Sequence, residues 1–205
     1  MERYAVEFVG TMFLVLVVAL SGGNAIAIGA ALIALVYMGG YISGGHYNPA
    51  VTLALWKAKK IRNYDAQMYM ISQVTGAMVG AGLYALIKGA KFVPQPAADA
   101  SLWGVFLTEF LFTFALASTV LNVAASVKVK GKQYFGLAIG ARLLAGIYSA
   151  GPISAAVFNP AVVLGTMIVD ITNLTTNAMT LGLYVLAQVS GGLLAAVFFR
   201  KTSEG

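Results

Sequence analysis

The tripeptide Asn-Pro-Ala occurs twice in the chain, at residues 48–50 and 159–161, and each copy is followed by a short apolar run. Asn is favoured at the N-cap of a helix because its side-chain oxygen accepts from a first-turn N–H, and Pro is favoured next because it has no N–H to leave unpaired. Asn48, Pro49 and Ala50, like Asn159, Pro160 and Ala161, therefore predict a helix start. Both runs are far shorter than the roughly 20 residues that span a bilayer. Two half-length helices indicate a site at the middle of a membrane protein built as an inverted repeat.

The composition excludes a soluble globular protein. Hydrophobic residues make up 60% of the chain and charged residues 10%, with a mean hydropathy of +0.84. A chain of this composition has too few polar residues to cover the surface of a soluble protein. The chain has no Cys and one His, His46, which excludes disulfides and leaves no set of Cys or His ligands for a metal. We expect no metal site, no cofactor and no catalytic residues.

The hydropathy pattern predicts an all-α transmembrane fold with six spanning helices plus two half-helices. The first span of each half carries a single carboxylate, Glu7 in VEFVGTMF and Glu109 in TEFLFTF. We expect a first inverted repeat at residues 1–90, a connecting loop at 91–101 and a second inverted repeat at 102–205. The six expected spans are residues 4–20, 25–41, 64–87, 102–121, 134–150 and 178–199.

The basic residues indicate the orientation of the chain. Arg3, the clusters at 57–62 and 128–132, and the pair Arg200 and Lys201 all fall on one side of six spans. The positive-inside rule then places both termini in the cytoplasm. Each half has three spans, an odd number, so the halves are inverted and the two half-helices meet N-terminus to N-terminus.

The predicted meeting point has a definite electrostatic character. Two helix N-termini bring two positive dipole ends to the membrane centre, which opposes the passage of cations and protons. Asn48 and Asn159 use their side-chain oxygens as caps, so their NH₂ groups are expected to be free to face a lumen. Carbonyl groups are expected to line the two approaches, from Gly44, Gly45, His46 and Tyr47 in one loop and from Ala155, Ala156, Val157 and Phe158 in the other.

These motifs resemble the aquaporin family, also called the major intrinsic proteins. The resemblance rests on the paired Asn-Pro-Ala motifs, on ISGGHYNPAVT at residues 42–52, on the two Glu-bearing spans and on GPIS before the second motif. It implies a homotetramer in a lipid bilayer, with one pore per subunit, passive flow of water or small neutral solutes, and no nucleic acid partner. It also implies that Glu7 and Glu109 hold the loop carbonyls in place.

The resemblance also implies a selectivity filter, and here the chain departs from the family. The second motif is usually continued by Arg, but this chain has Val162. The other filter positions fall on Ile28, Ile147 and Ala156. This ring has no side-chain donor and no fixed positive charge. We expect it to select by size and to admit glycerol-like and urea-like solutes, ammonia or peroxide.

Several alternatives stay open at this stage. Arg142 lies within the fifth span, where it is either a buried partner of a carboxylate or of loop carbonyls, or a second, inner constriction. His46 is either a neutral ring bonded within its loop or a pH gate. The whole protein could also be a secondary transporter of the inverted-repeat type, or a closed or gated structural membrane protein whose apolar filter excludes water.

Overall fold

The computed structural model describes residues 1–129, 131 and 133–203, except for the side chains of 174–176 and 203. Over this part the chain forms eight α-helices and no strand. A π-helical turn, Leu121–Ala125, continues α5, and short 3₁₀ turns lie at Val127–Val129 and Ile171–Asn173. The α-helices are α1 (Glu2–Leu20), α2 (Ala25–Ser43), α3 (Pro49–Lys57), α4 (Asn63–Lys88), α5 (Leu102–Val120), α6 (Phe135–Ser154), α7 (Pro160–Val169) and α8 (Leu174–Ser203).

Six of these helices are long and apolar enough to cross a membrane. They are α1, α2, α4, α5, α6 and α8, whereas α3 has 9 residues and α7 has 10. Six spans and two half-helices confirm the fold class that the sequence predicts. The chain is an integral, multi-pass membrane protein.

Each half-helix packs mainly against the other half of the chain. Within each half the first and last spans pack together, α1 against α4 and α5 against α8, and α2 packs against α6 between the halves. Each half-helix makes its most extensive contact with the last span of the other half, α3 with α8 and α7 with α4. The centre of the protein is therefore built jointly by both halves.

Glycine residues lie where spanning helices approach each other most closely. A Cβ added at Gly76 of α4 would lie 2.3 Å from the carbonyl oxygen of Phe8, and one added at Gly191 of α8 would lie 2.4 Å from that of Phe110. At either position any side chain would have to push two spanning helices apart. Such close approach through glycine is typical of helices packed in a membrane.

Several helices extend further than the sequence predicts. Helix α2 continues through Ile42 to Ser43, α6 runs to Ser154 with Pro152 inside its last turns, and α8 covers Leu174–Ser203 where residues 178–199 were expected. Pro152 has no N–H, so the helix lacks one ladder hydrogen bond at this position. In the expected basic cluster at 128–132, Lys130 and Lys132 lie outside the described residues.

Candidate functional site

A cavity of about 670 Å³ runs through the centre of the protein, where the two half-helices meet. Both cap residues, Asn48 and Asn159, line it. The four expected filter positions, Ile28, Ile147, Ala156 and Val162, also line it. Further lining comes from Leu14, Val18, Leu32, Val51, Leu116, Val120, Ile139 and Leu143. The wall is therefore largely apolar, and most of its polar groups belong to the backbone and to the two asparagines.

A second cavity of about 450 Å³ lies toward the face that carries the N-terminus. Arg3, Lys60 and Arg62 line it together with the buried Asp65. His46 and Val120 line both this cavity and the central one, so the two spaces adjoin at that level. The basic residues therefore lie at the side of the central cavity that faces the N-terminus.

The two asparagines cap their helices and also bind across the centre. Asn48 Oδ1 accepts from the amide of Ala50 at 2.9 Å, and Asn159 Oδ1 accepts from that of Ala161 at 3.0 Å. Asn48 Nδ2 donates to the carbonyl oxygen of Phe158 at 2.8 Å, while Asn159 Nδ2 donates to that of Tyr47 at 2.9 Å. The expectation that both NH₂ groups are wholly free is therefore wrong. Each keeps one N–H for the cavity, and each uses the other to fix the opposite loop.

A buried carboxylate organises the second loop. Glu109 accepts four hydrogen bonds, from the hydroxyl of Ser154 at 2.7 Å, the amides of Val157 at 2.9 Å and Phe158 at 2.8 Å, and the side chain of Gln188 at 2.8 Å. An ionised carboxylate has about four acceptor sites, so this set fills it.

The first loop repeats this arrangement around Glu7. Its carboxylate accepts from the hydroxyl of Ser43 at 2.6 Å, the amides of His46 at 2.9 Å and Tyr47 at 2.7 Å, and the side chain of Gln73 at 2.8 Å. Both carboxylates therefore hold N–H groups directly, and they act on the carbonyls only through the direction they give to the chain.

The backbone of both loops is turned so that most of its carbonyls lack protein partners. The carbonyls of Tyr47 and Phe158, also expected to line the pore, instead accept from Asn159 and Asn48. Among the described residues, no hydrogen bond reaches the carbonyls of residues 44–46 or 155–157. Left-handed backbone at Tyr47, Ala155, Ala156 and Phe158, with φ of 48°, 60°, 50° and 50°, produces this turn. Such φ values are uncommon outside glycine and persist only where the surroundings hold them. Buried carbonyls are normally paired, so their partners must come from whatever occupies the cavity.

The two loops differ in polarity despite their common plan. His46 Nδ1 lies 3.1 Å from the hydroxyl of Thr52, which donates to the carbonyl of Asn48 and accepts from Gln73 Nε2 at 2.9 Å. Two residues before and four after the second asparagine the chain has Val157 and Val163. The polar cluster beside the first loop therefore has no counterpart beside the second.

Arg142 does not line either cavity. It is partly buried on α6, and its guanidinium lies 5.8 Å from the centre of the Phe112 ring, within the range of a cation–π contact. Neither cavity supports the inner-constriction interpretation, which stays a prediction. The partner in the structure is an aromatic ring, which differs from the carboxylate or carbonyl that the sequence interpretation favoured.

The sequence analysis missed four residues that support the two loops, although a repeated pattern in the sequence marks them. The pattern Tyr-x₃-Gln-Val-x-Gly occurs at 69–76 and again at 184–191. Both glutamines bind the buried carboxylates, and the hydroxyls of Tyr69 and Tyr184 donate to the carbonyls of Ser43 and Ser154. Aligning the halves beyond the Asn-Pro-Ala motifs would have found them.

The connecting loop also contributes to the site, which the sequence does not predict. Phe92, Val93, Pro94 and Gln95 line the outer end of the central cavity. The loop is held there by the ion pair of Lys91 with Asp170 at 2.9 Å and by the amide of Ala97, which donates to the carbonyl of Ile153. The expected seam between the halves is thus part of the wall of the site.

Comparison with known proteins places these features in a family. The model of the major intrinsic protein family matches residues 1–172. Aquaporin AqpM of Methanothermobacter marburgensis is 34% identical over 188 residues, covering 87% of this chain and 76% of that protein. A glycerol uptake facilitator protein-like 6 from Lactiplantibacillus plantarum is 32% identical over 214 residues, covering 96% of this chain and 95% of its own.

The fold has a close counterpart among solved structures. The X-ray structure of the aquaglyceroporin from Plasmodium falciparum superposes with a TM-score of 0.83, covering 98% of this chain and 95% of that one. The sequence identity is 21%, so this likeness concerns the fold alone. The family match and the fold likeness therefore point to the same architecture of six spanning helices and two half-helices.

Proposed function

The chain belongs to the major intrinsic protein family, and from this premise we propose that it is a passive pore for water and small neutral solutes whose selectivity is set by an apolar, Arg-less filter. Family members are channels for water and small solutes, and this chain is such a channel, not an enzyme. The proposal concerns which solutes pass and what excludes protons.

The proposal rests on Ile28, Ile147, Ala156 and Val162, the four positions that we assign to one filter ring. All four residues line the central cavity, and none has a polar side-chain atom. Water entering such a ring gives up hydrogen bonds without replacement, at a cost on the order of a few kcal/mol for each lost partner. Short side chains at Ala156 and Val162 also leave room that an Arg would fill. We therefore assign the ring a size-based selectivity that admits glycerol, urea, ammonia and peroxide alongside water.

Proton exclusion is assigned to the paired motifs. The N-termini of α3 and α7 bring their positive dipole ends to Asn48 and Asn159. Each asparagine keeps one N–H beyond its bond to the opposite loop. A water passing these donors accepts from them and turns its hydrogens outward, which interrupts the hydrogen-bonded chain that a proton needs.

Assembly and orientation follow from the family and the charge pattern. We propose a homotetramer with one pore per subunit and with both termini in the cytoplasm. The orientation is supported by the basic residues Arg3, Lys57, Lys59, Lys60 and Arg62 near one face. The exposed apolar residues on the outer faces, such as Leu86 and Trp103, suit contact with lipid or with neighbouring subunits.

Two other functions are compatible with the same fold. A secondary transporter needs a coupling-ion site, but Glu7 and Glu109 are filled by loop donors and Arg142 lies away from the cavities. A closed structural protein needs a filter that water cannot enter. These contacts disfavour the secondary transporter. A flux measurement distinguishes the closed structural protein from the open channel that we propose.

Stopped-flow light scattering of proteoliposomes provides that measurement, with sucrose, glycerol and urea as osmolytes. We expect the parent to pass water and at least one of glycerol and urea above empty liposomes. Val162→Arg should narrow the ring and reduce glycerol and urea flux by about tenfold or more, while Val162→Met controls for length without charge or donors. A parent that passes nothing above background would favour the closed alternative.

A further inference from the structure

The second cavity, on the side of the protein that carries the N-terminus, has a buried carboxylate in its wall. The side chain of Asp65 is 3% exposed, and it lines this cavity of about 450 Å³. Its Oδ1 accepts from the hydroxyl of Tyr4 at 2.7 Å, and its Oδ2 accepts from Arg62 Nε at 2.8 Å and Arg3 Nη1 at 3.5 Å. Asp65 therefore ties the starts of α1 and α4 together and draws two guanidinium groups to one oxygen.

The two guanidinium groups outnumber the carboxylate that holds them. Arg3 and Arg62 both line the cavity with Asp65, and no other Asp or Glu of the described chain lines it. Lys60 lines the same wall, with its ammonium 5.5 Å from the centre of the Phe199 ring. Two like charges that converge on one carboxylate repel each other, and the carboxylate balances only one of them. The pair of arginines therefore carries a surplus of positive charge that a further anion would balance.

Most donors of the two guanidinium groups are available to such an anion. Each arginine uses one N–H on Asp65, and the remaining N–H groups have no partner within the described residues. The side chains of Arg3 and Arg62 are 47% and 80% exposed, so these donors can be reached from water. The hydroxyls of Ser43 and Tyr69 in the same wall already donate to other groups of the protein. The guanidinium groups are therefore the recognition elements of the cavity.

A phosphate group is the anion that this donor set fits. A guanidinium binds two oxygens of a phosphate at once, through charge-assisted hydrogen bonds that are roughly twice as strong as neutral ones. One such fork satisfies a planar carboxylate, whereas a tetrahedral phosphate with more than one charge offers oxygens to two forks. The carboxylate of Asp65 orients both forks before the anion arrives, which lowers the entropy that binding costs.

We propose that the cavity wall formed by Arg3, Arg62 and Asp65 is a binding site for a phosphate group, carried either by a soluble phosphate or by the headgroup of an anionic lipid. His46 and Val120 line this cavity and the central one, so the anion binds next to the central cavity. The site is distinct from the expected filter and goes beyond the proposed channel function, because binding depends on none of the solutes that pass.

The test follows thermal unfolding of the full chain in detergent by the fluorescence of its two tryptophans. Sodium phosphate is compared with sodium chloride at equal ionic strength and pH 7. A ligand that binds only the folded state raises the unfolding temperature, and we expect about 10 mM phosphate to raise it by at least about 2 °C more than chloride. Arg62→Gln and Arg3→Gln each remove one guanidinium, and each should lose about half of this gain or more.

Lys57→Gln is the matched control, because Lys57 is exposed and does not line the cavity, although the change removes the same charge. It should keep the full gain. Phosphate also stabilises folded proteins by its exclusion from their surface, so an equal gain in the parent and all variants would exclude a site for soluble phosphate. A loss in Lys57→Gln as large as in Arg62→Gln would exclude it as well. Arg3→Gln carries the test from α1 if Arg62→Gln does not fold.

A second arm separates the two sources of the phosphate group, in lipid nanodiscs without phosphate buffer. Discs of phosphatidylcholine are compared with discs that also contain phosphatidic acid, whose headgroup is a phosphate monoester. A gain from phosphatidic acid that Arg62→Gln loses and Lys57→Gln keeps would assign the site to a lipid headgroup, and a gain from inorganic phosphate alone would assign it to a soluble ligand. If neither probe gives a gain that depends on the arginines, the proposal is overturned. The channel function is untouched by that result, because no flux is measured.

Discussion

The backbone amide of Phe158 donates to Oε2 of Glu109 across 2.8 Å, although the two residues lie 49 positions apart. This bond joins a spanning helix to the loop that carries Ala156, one of the proposed filter positions, and it is one of four hydrogen bonds that the carboxylate accepts. The shape of this loop therefore depends on a residue that does not line the central cavity.

Replacing Glu109→Gln should destabilise the protein and reduce flux. Only one of the two polar atoms of the new amide accepts, so its NH₂ would face either the amide of Val157 or that of Phe158, which donate to different carboxylate oxygens of Glu109. We expect a loss of at least about 2 kcal/mol in the free energy of unfolding, because buried donors lose a charged partner. Thermal unfolding in detergent and water flux in liposomes measure both effects. Glu2→Gln, the same change at an exposed helix end, is the control, and equal unfolding temperatures for the two variants would contradict the scaffold role.

Thr52→Val should cost stability in the first half, where the second half already has Val163. The change removes the acceptor for Gln73 Nε2 and the partner of His46 Nδ1, and we expect a loss of about 1–3 kcal/mol from these buried polar groups. Thr75→Val is the matched control, because the hydroxyl of Thr75 is exposed and bonds only to its own helix. A loss no larger than in the control would show that the cluster around Thr52 is dispensable.

Gly76→Ala should loosen the contact between α1 and α4. Its new methyl group would meet the carbonyl oxygen of Phe8 at 2.3 Å, and overpacking against a backbone atom costs about 1–3 kcal/mol. Gly82→Ala lies on the same helix with nothing within 4 Å, so it should be neutral or slightly stabilising. Unfolding temperatures of the two variants measure the difference, and similar values would contradict the close approach of α1 and α4.

Asp170→Asn should remove a pH-dependent contribution to stability. The side-chain amide of Asn173 and the ammonium of Lys91 hold the pKa of the Asp170 carboxyl below its ordinary value. A group with a lowered folded pKa stabilises the fold fully above its unfolded pKa of about 3.9, and this stabilisation is lost as pH falls through the lower, folded value. The difference in unfolding temperature between parent and variant should be constant from about pH 7 to 5 and shrink only below about pH 4.

Asp99→Asn provides the control for this titration, since Asp99 is an exposed carboxylate in the same connecting loop. It should leave the unfolding temperature nearly unchanged at neutral pH. A difference for Asp170→Asn that already declines between pH 7 and 5 would show that another group is responsible.

The starts of the two half-helices could be predicted because the signal is local: Asn48 and Asn159 cap the helices that begin at the very next residue. The ends of α2 and α6 were placed too early. Gly-rich and Pro-containing sequence suggested irregular backbone, but Ser43 and Ser154 are held in the helix by hydroxyl bonds to Glu7 and Glu109. Such bonds depend on neighbouring helices, so the sequence around the end of a helix does not predict them.

The candidate site divides in the same way. The apolar residue types of the filter are certain from the sequence, whereas their common level around the cavity came from a family resemblance. The bonds of Asn48 and Asn159 to the opposite loops were missed, because they depend on how two distant segments approach each other. The supporting pair Gln73 and Gln188 could have been found, since both halves repeat the residues around them.

The two cross-centre bonds also set an order of events during synthesis. They join residues separated by 110 and 112 positions, so neither can exist before the ribosome has passed Asn159. Helix α3 also packs against α8, which begins only at Leu174, so its surroundings are completed later still. The centre of the protein therefore needs residues of both halves before it can form.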